Sequence, residues 1–336
     1  MDRRRFLQFG AGALFGQQKK VEELAVAAAS QDKTPRVGIV LSNFRGSDDH
    51  DGTKLQGLPD PQPVNAALTA AQLDAMLRKG IELGNTRRGG LAAIVKPEDW
   101  VVVLPDVSTC LASNPACSTD PRLVRSLVAW LVEHKCGARI TIASASRSYR
   151  DIAADFAKHH QSVQFDVADL NADEPLELPV PGRPSATRNP DGVYFIPQTI
   201  QQCDRVISVA PLKTNPRIRV SLSIGNYFGI APAAKYGPGK EKLFELGAPH
   251  EVLIDLFSFH TADYAILGGE TGRNVVIAGA SAPAVDAIGS TVLGLAPAEI
   301  EHLRLAEKKG YGVIDLDLIW TRGNKIEEAS PRSPGA

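Results

Sequence analysis

Residues 100–104 read WVVVL, an unbroken apolar run rich in valine. A run this short and this β-branched suits a strand, and one without polar alternation suits a strand covered on both faces, as in a parallel sheet. Asp120 followed by Pro121 then supplies a helix start, a capping carboxylate ahead of a first-turn proline. That helix runs to Lys135 with Leu123, Leu127, Trp130 and Leu131 on its buried face, and Gly137 stops it. Residues 139–143 (RITIA) form the next strand. Strand, helix and strand at this spacing make a βαβ unit. The expected class is therefore α/β, with a mostly parallel sheet flanked by helices, in one lobe or two.

The rest of the chain fits that alternation. Residues 36–42 (RVGIVLS) open the folded part, and residues 43–63, rich in Gly, Asp and Pro, read as a long loop. Thr69 caps a helix through Leu83, with Leu73, Met76, Leu77 and Ile81 on one face. A helix at 152–159 and a strand at 163–167 follow, then an exposed connection over 173–191. Strands are expected at 193–196, 205–209, 264–267, 275–278 and 314–318, and helices at 251–259, 283–293 and 298–309. Residues 324–336 read as a polar tail.

The chain has 336 residues and a formal net charge of -1, with 43% apolar and 22% charged residues. Its length allows a sizeable core without disulfides or metals. The near-neutral balance lacks the basic footprint that nucleic acid requires, so no nucleic-acid partner is expected. No apolar run approaches the roughly 20 residues that span a bilayer, so no membrane span is expected in the mature chain.

The N-terminus differs in character. Arg3, Arg4, Phe6 and Leu7 follow the pattern of a twin-arginine signal, with a short Gly- and Ala-rich apolar stretch behind them. Residues 1–30 thus read as an export segment for the twin-arginine translocation machinery, placing the protein in the periplasm or cell envelope. A basic tail leading into an ordinary amphipathic helix is the alternative.

The four cysteines, Cys110, Cys117, Cys136 and Cys203, include no C-x-x-C, so the iron–sulfur motif is absent and the cofactor is left open. Cys110 and Cys117 flank a short loop and could pair in an oxidising compartment or remain two thiols. Cys136 and Cys203 look like small core residues. Residues 48–51 (DDHD) could hold a divalent cation or form a solvated acidic loop, and His159-His160 suits a helix C-terminus. Residues 268–272 (GGETG) look like a phosphate-cradling loop but lack P-loop spacing and its lysine.

The densest chemistry lies at residues 209–235, VAPLKTNPRIRVSLSIGNYFGIAPAAK, directly after a buried strand. Ligands of open α/β sheets bind beyond the carboxyl ends of strands. Lys213, Thr214, Asn226 and Lys235 are therefore candidates to bind a small anionic molecule, beside Asn215, Arg217 and Arg219. His250 and Asp286 are the candidate catalytic groups, one moving a proton and the other orienting a partner or holding a cation.

This segment resembles the central signature of the domain of unknown function 362 family. Pro211-Leu212-Lys213-Thr214 is similar to the family's Pro-x-Lys-Thr-His, and Asn226-Tyr227-Phe228-Gly229 to its Lys-Asn-x-Phe-Gly. Residues 96–100, Thr119-Asp120-Pro121, the pair Lys235 and His250, and residues 282–286 carry further likeness, so that a domain over 36–320 is implied. The departures sit at Leu104 and Asp106, Asn215, Gly225 and Ala282, and in Ala143-Ser144-Ala145-Ser146, where the family's own positions are mostly ionisable or amide-bearing. Two readings follow from the resemblance: an exported enzyme acting on a small anionic ligand, or a non-catalytic envelope binding protein that keeps the fold and has lost active-site residues.

Overall fold

The computed structural model describes residues 34–85, 89–107, 118–143, 158, 163–270 and 273–330. The export segment, Cys110, Cys117, the helix expected at 152–159 and His159-His160 lie outside the described residues.

Fourteen strands form among the described residues. In chain order they are β1 (Arg36–Leu41), β2 (Gly46–Asp48), β3 (Lys54–Gln56), β4 (Trp100–Pro105), β5 (Arg139–Ala143), β6 (Gln164–Ala168), β7 (Pro175–Pro179), β8 (Val193–Pro197), β9 (Arg205–Ala210), β10 (Lys213–Asn215), β11 (Arg219–Ser221), β12 (Tyr264–Gly269), β13 (Val275–Gly279) and β14 (Trp320–Gly323). Eight of them make the central sheet in the order β14-β1-β13-β12-β9-β4-β5-β6, and the other six make three two-stranded pairs. All central pairings are parallel except the two that β13 makes, with β1 and β12. Only β13 therefore runs against the rest. The connection from β12 to β13 is too short for a crossover, so the chain must fold back on itself.

Side chains alternate across the sheet and feed two apolar layers. Val102, Leu104, Val206, Ala265 and Ile277 belong to one layer, and Val101, Val103, Ile207, Ile266 and Val276 to the other. Helices α1 (Ala70–Leu83) and α2 (Pro121–Glu133) cover the second layer. Helices α3 (Pro249–Ser258), α4 (Ala282–Val292) and α5 (Glu301–Lys308) cover the first. Two layers on one sheet thus replace the two lobes left open by the sequence. The caps act as read: Thr69 and Gln72 form a reciprocal box at α1, and the Asp120 carboxylate accepts from the backbone of Arg122 at α2.

Several local expectations are corrected. The connection at 173–191 contains β7, which pairs with β8 as a separate hairpin. The loop at 43–63 contains the β2–β3 pair. The strand expected at 314–318 is a 3-10 turn at Leu316–Leu318, capped by the Asp315 carboxylate; the closing strand is β14, paired to β1. The start of the supposed tail is also packed, with Asn324 Oδ1 accepting from the Leu41 backbone at 2.9 Å and Ala329 buried in a helical turn.

Candidate functional site

The order of winding selects one place in the sheet. From β4 the chain moves outward through β5 and β6, then returns to the other side of β4 as β9 and continues to β12. The strand order therefore reverses between β4 and β9, which stay paired as far as Pro105 and Val209, and open α/β sheets bind ligands beyond the carboxyl ends of strands at such a point.

Polar side chains converge there. Asp106 directly follows β4, and its carboxylate meets Lys213 Nζ at 2.6 Å, both side chains largely buried. The Val209 carbonyl at the end of β9 accepts from the Asp106 backbone at 3.2 Å, from Thr119 Oγ1 at 2.7 Å and from Asn226 Nδ2 at 3.1 Å. The Asn226 amide also reaches the Leu104 carbonyl at 3.1 Å and Ser208 Oγ at 3.0 Å, stitching β4 to β9. Its Nδ2 must point that way because Leu104 and Val209 offer only acceptors. Asn226 Oδ1 is left buried without a hydrogen bond.

The row continues past Thr119. Asp120 holds Arg122 at 2.7 Å, and Arg122 also meets Glu270 at 2.8 Å, just beyond β12. Gly269 lies against Asp120, so that a Cβ there would stand 3.3 Å from the Asp120 Cβ, and its φ of +118 disfavours other residues. Gly268 is needed for a different reason: a Cβ would fall 1.9 Å from the Val275 carbonyl oxygen of the adjoining strand. Thr271 and Gly272 of the GGETG segment lie outside the described residues.

The other candidates are held elsewhere. Thr214 sits exposed in the β10–β11 pair opposite Val220. Asn215 closes the turn of that pair, its Oδ1 accepting from the backbones of Arg217 and Ile218. Arg217 lies over the Phe244 ring and Arg219 pairs with Glu299 at 3.0 Å. Lys235 is exposed, with its ammonium 4.2 Å from the centre of the Phe195 ring. Lys213 and Asn226 are thus brought to one place, while Lys235 is not shown to join them.

Asp286 is fully buried on α4. It accepts from the Ser223 backbone and hydroxyl and from the Ile224 backbone, at 2.6–3.0 Å. Burial pushes its pKa up to about 7, against the pull of those three donors. It anchors the 3-10 segment Ile224–Ile230, which carries Asn226. His250, near the start of α3, stacks on His302 of α5 with their Nδ1 atoms 3.2 Å apart. Desolvation lowers the pKa of both, that of fully buried His302 to about 3. His250 and Asp286 therefore serve different neighbours.

In the DDHD run, Asp49 pairs with Arg322 at 2.7 Å and His50 meets the edge of Trp320. Among the described residues no group of three or more His, Cys, Asp or Glu is arranged to hold a metal ion. No helix among them is long and apolar enough to cross a membrane. Cys136 and Cys203 are buried as expected, but Cys203 also lies 3.6 Å from His260 Nδ1.

Sequence reasoning passed over Asp106 as a ligand-facing group, and also Arg122, Glu270, His260 and His302. Asp106 did carry a signal: an acid placed immediately after an apolar strand and a proline. Glu270 carried one too, inside the glycine-rich segment behind β12. His302 gave none, because its partner is 52 residues distant.

An eight-stranded, mostly parallel sheet flanked by helices, with polar side chains gathered where the strand order reverses, defines the class as α/β. The profile described as domain of unknown function (DUF362) matches residues 101–291, a stretch that contains β9, β12 and all of β4 but Trp100, together with Asp106, Thr119, Asp120, Arg122, Lys213, Asn226 and Glu270. The chain belongs to this family. Comparison with curated proteins gave no match.

Proposed function

We propose that this is an exported enzyme that acts on a small anionic molecule bound beyond the carboxyl ends of β4 and β9. The observation that carries the reading is the Lys213–Asp106 pair, set where the strand order reverses. A lysine ammonium is a compact positive charge suited to a carboxylate or phosphate oxygen. Asp106 is the ionisable group best placed to exchange a proton with what Lys213 holds. Lys235 and His250 would then lie outside the reacting centre, with Asp286 fixing the segment that presents Asn226.

The test is calorimetric titration of acetate and inorganic phosphate into the wild type and Lys213→Ala, with circular dichroism as a check of folding. The reading expects Lys213-dependent binding in a folded variant. If the variant unfolds, or binds as the wild type does, the lysine is structural and the reading fails. Export by the twin-arginine route is tested separately by replacing Arg3 and Arg4 with lysine, which is expected to retain the protein in the cytoplasm.

A second reading, a non-catalytic binding protein, is favoured by Asp286, a candidate catalytic carboxylate whose two oxygens are both occupied by internal donors. Turnover of any bound compound by the purified protein rules it out.

A further inference from the structure

The helix α5 has a thin grip on the rest of the molecule. Of its residues only His302, Leu303 and Ala306 are buried, while Glu301, Arg304, Glu307 and Lys308 are charged. It packs on α3 and α4, and His302, the one polar side chain among its buried residues, has no exposed surface. Facing it from α3 is half-buried His250, with the two Nδ1 atoms 3.2 Å apart.

The bonds around this pair dictate where its hydrogens lie. The His302 backbone N–H, which can only donate, meets His250 Nδ1 at 3.2 Å. His250 Nδ1 is therefore bare and the hydrogen of that ring is on Nε2. His302 Nδ1 faces the same bare nitrogen, so it carries its own ring's hydrogen and donates it. His302 Nε2 is then bare as well, and it is buried without a hydrogen-bond partner. Two neutral rings thus close an N–H···N bond between the helices. A further proton has two places to go, and neither suits the closed form. On His250 Nδ1 it would point at two N–H groups. On His302 Nε2 it would make a buried cation with no acceptor.

The surrounding charges do not favour the proton either. Arg304, the one charged side chain among the described residues that acts on His250, is itself a cation. The nearby acids are engaged elsewhere. On α3, Glu251 holds the Thr187 and Ala248 backbones, and Asp255 those of Ser185 and Ala186. On α5, Glu301 takes Arg304, and Glu307 accepts from the Ile314 backbone. Asp286 of α4 is held by Ser223 and Ile224, and Glu299, in the turn ahead of α5, meets Arg219. Lys309, just past α5, turns to the Arg183 carbonyl and Asp255. The short helix Glu241–Glu245 keeps Glu241, Lys242 and Glu245 exposed.

We propose that the His250–His302 contact is an acid-sensitive latch, which holds α5 on α3 while both rings are neutral and lets go when either takes up a proton. Desolvation makes the folded pair bind a proton less readily than free histidine does. The hold is therefore complete above pH 6.5 and is lost as pH falls towards the folded value, about 3 for His302. Release bares apolar surface of α3 and α4 that Leu303 and Ala306 help to cover. The latch does not rest on the proposed ligand site or on what binds there.

The test is hydrogen exchange of the full chain, read by mass spectrometry and corrected for the intrinsic pH dependence of exchange. From about pH 7.5 to about pH 5, protection of α5 is expected to fall about tenfold or more relative to the central strands. The double variant His250→Asn/His302→Asn keeps a neutral N–H···O bond between the helices and has nothing to protonate. Its α5 protection should not change with pH. An equal fall in the variant assigns the effect to another group, while no fall, or one shared by the whole fold, leaves no latch; each overturns the proposal. Nitrogen-15 NMR of the wild-type rings tests it without any variant. His250 should show the Nε2–H form and His302 the Nδ1–H form, both titrating below the ordinary value of about 6.5. The opposite tautomers, or a ring that titrates at or above that value, would overturn it as well.

Discussion

The same three strands, β4, β9 and β12, carry charged groups at both ends, and the two ends are finished differently. At the amino ends, Asp99 precedes β4, Arg205 opens β9 and Asp263 precedes β12. Arg205 bonds to Asp99 at 3.0 Å and to Asp263 at 3.2 Å, while each acid also accepts from a backbone amide. His260 completes this end, with Nδ1 3.0 Å from the Ile200 carbonyl and Nε2 3.6 Å from Asp263. Arg205 thus bridges the two acids that flank it. At the carboxyl ends the pairs are separate: Lys213 meets Asp106, and Arg122 meets Asp120 and Glu270. A bridge between strands staples a fold, whereas the Lys213–Asp106 pair stands where the strand order reverses.

That contrast can be broken most severely at the amino ends. Arg205→Ala removes the cation shared by two carboxylates and should cost about 3 kcal/mol of unfolding free energy, as expected for breaking a buried pair. Urea denaturation reads the loss, and binding at the carboxyl ends should survive in the folded fraction. A loss below about 1 kcal/mol would mean that the staple is no staple.

The next effect is pH-dependent and belongs to the same end. Burial alone would depress His260, but Cys203 and Asp263 outweigh it and raise the pKa to about 10. The folded chain therefore holds this proton more tightly than the unfolded chain does. The resulting stability is fully present below pH 6.5 and is lost as pH rises through about 10. The stability gap between the wild type and His260→Gln should thus narrow as pH rises between these limits. Taking the difference removes the opposing drift of Lys240, whose amine burial lowers to about 8. A gap that stays constant with pH would show that His260 is neutral in the fold.

The smallest effect on stability is expected at the carboxyl ends. Lys213→Ala takes the ammonium away from one acid, whereas Arg205→Ala takes its cation from two, and should cost about 1 kcal/mol. Its effect on binding should be far larger than its effect on folding, the reverse of the pattern at Arg205. Equal losses in both assays would erase the distinction between the two ends.

Much of this was legible in the sequence, for reasons that are local. The WVVVL and RITIA runs, the Thr69 and Asp120 caps and the cluster of donors after β9 each declare themselves within a few residues. What escaped depends on contacts between distant segments. The Cys203–His260 contact spans 57 residues and the Asp286–Ser223 contact 63, and no periodicity announces either. Asp286 was singled out through the family likeness of residues 282–286, while its hold on the segment bearing Asn226 is a contact that no local pattern declares. β14 was displaced because residues 314–318 are apolar enough for a strand, while the Asp315 cap turns them into a 3-10 helix first.

The central claim, that a ligand is held through Lys213 beyond the carboxyl ends of β4 and β9, is tested most directly by native mass spectrometry. Wild type and Lys213→Ala would be purified without denaturation and compared for bound small molecules. The account predicts a stoichiometric adduct on the wild type that is absent from the folded variant, with a composition containing an acid group. An adduct equally present on both proteins would place the ligand elsewhere and contradict it.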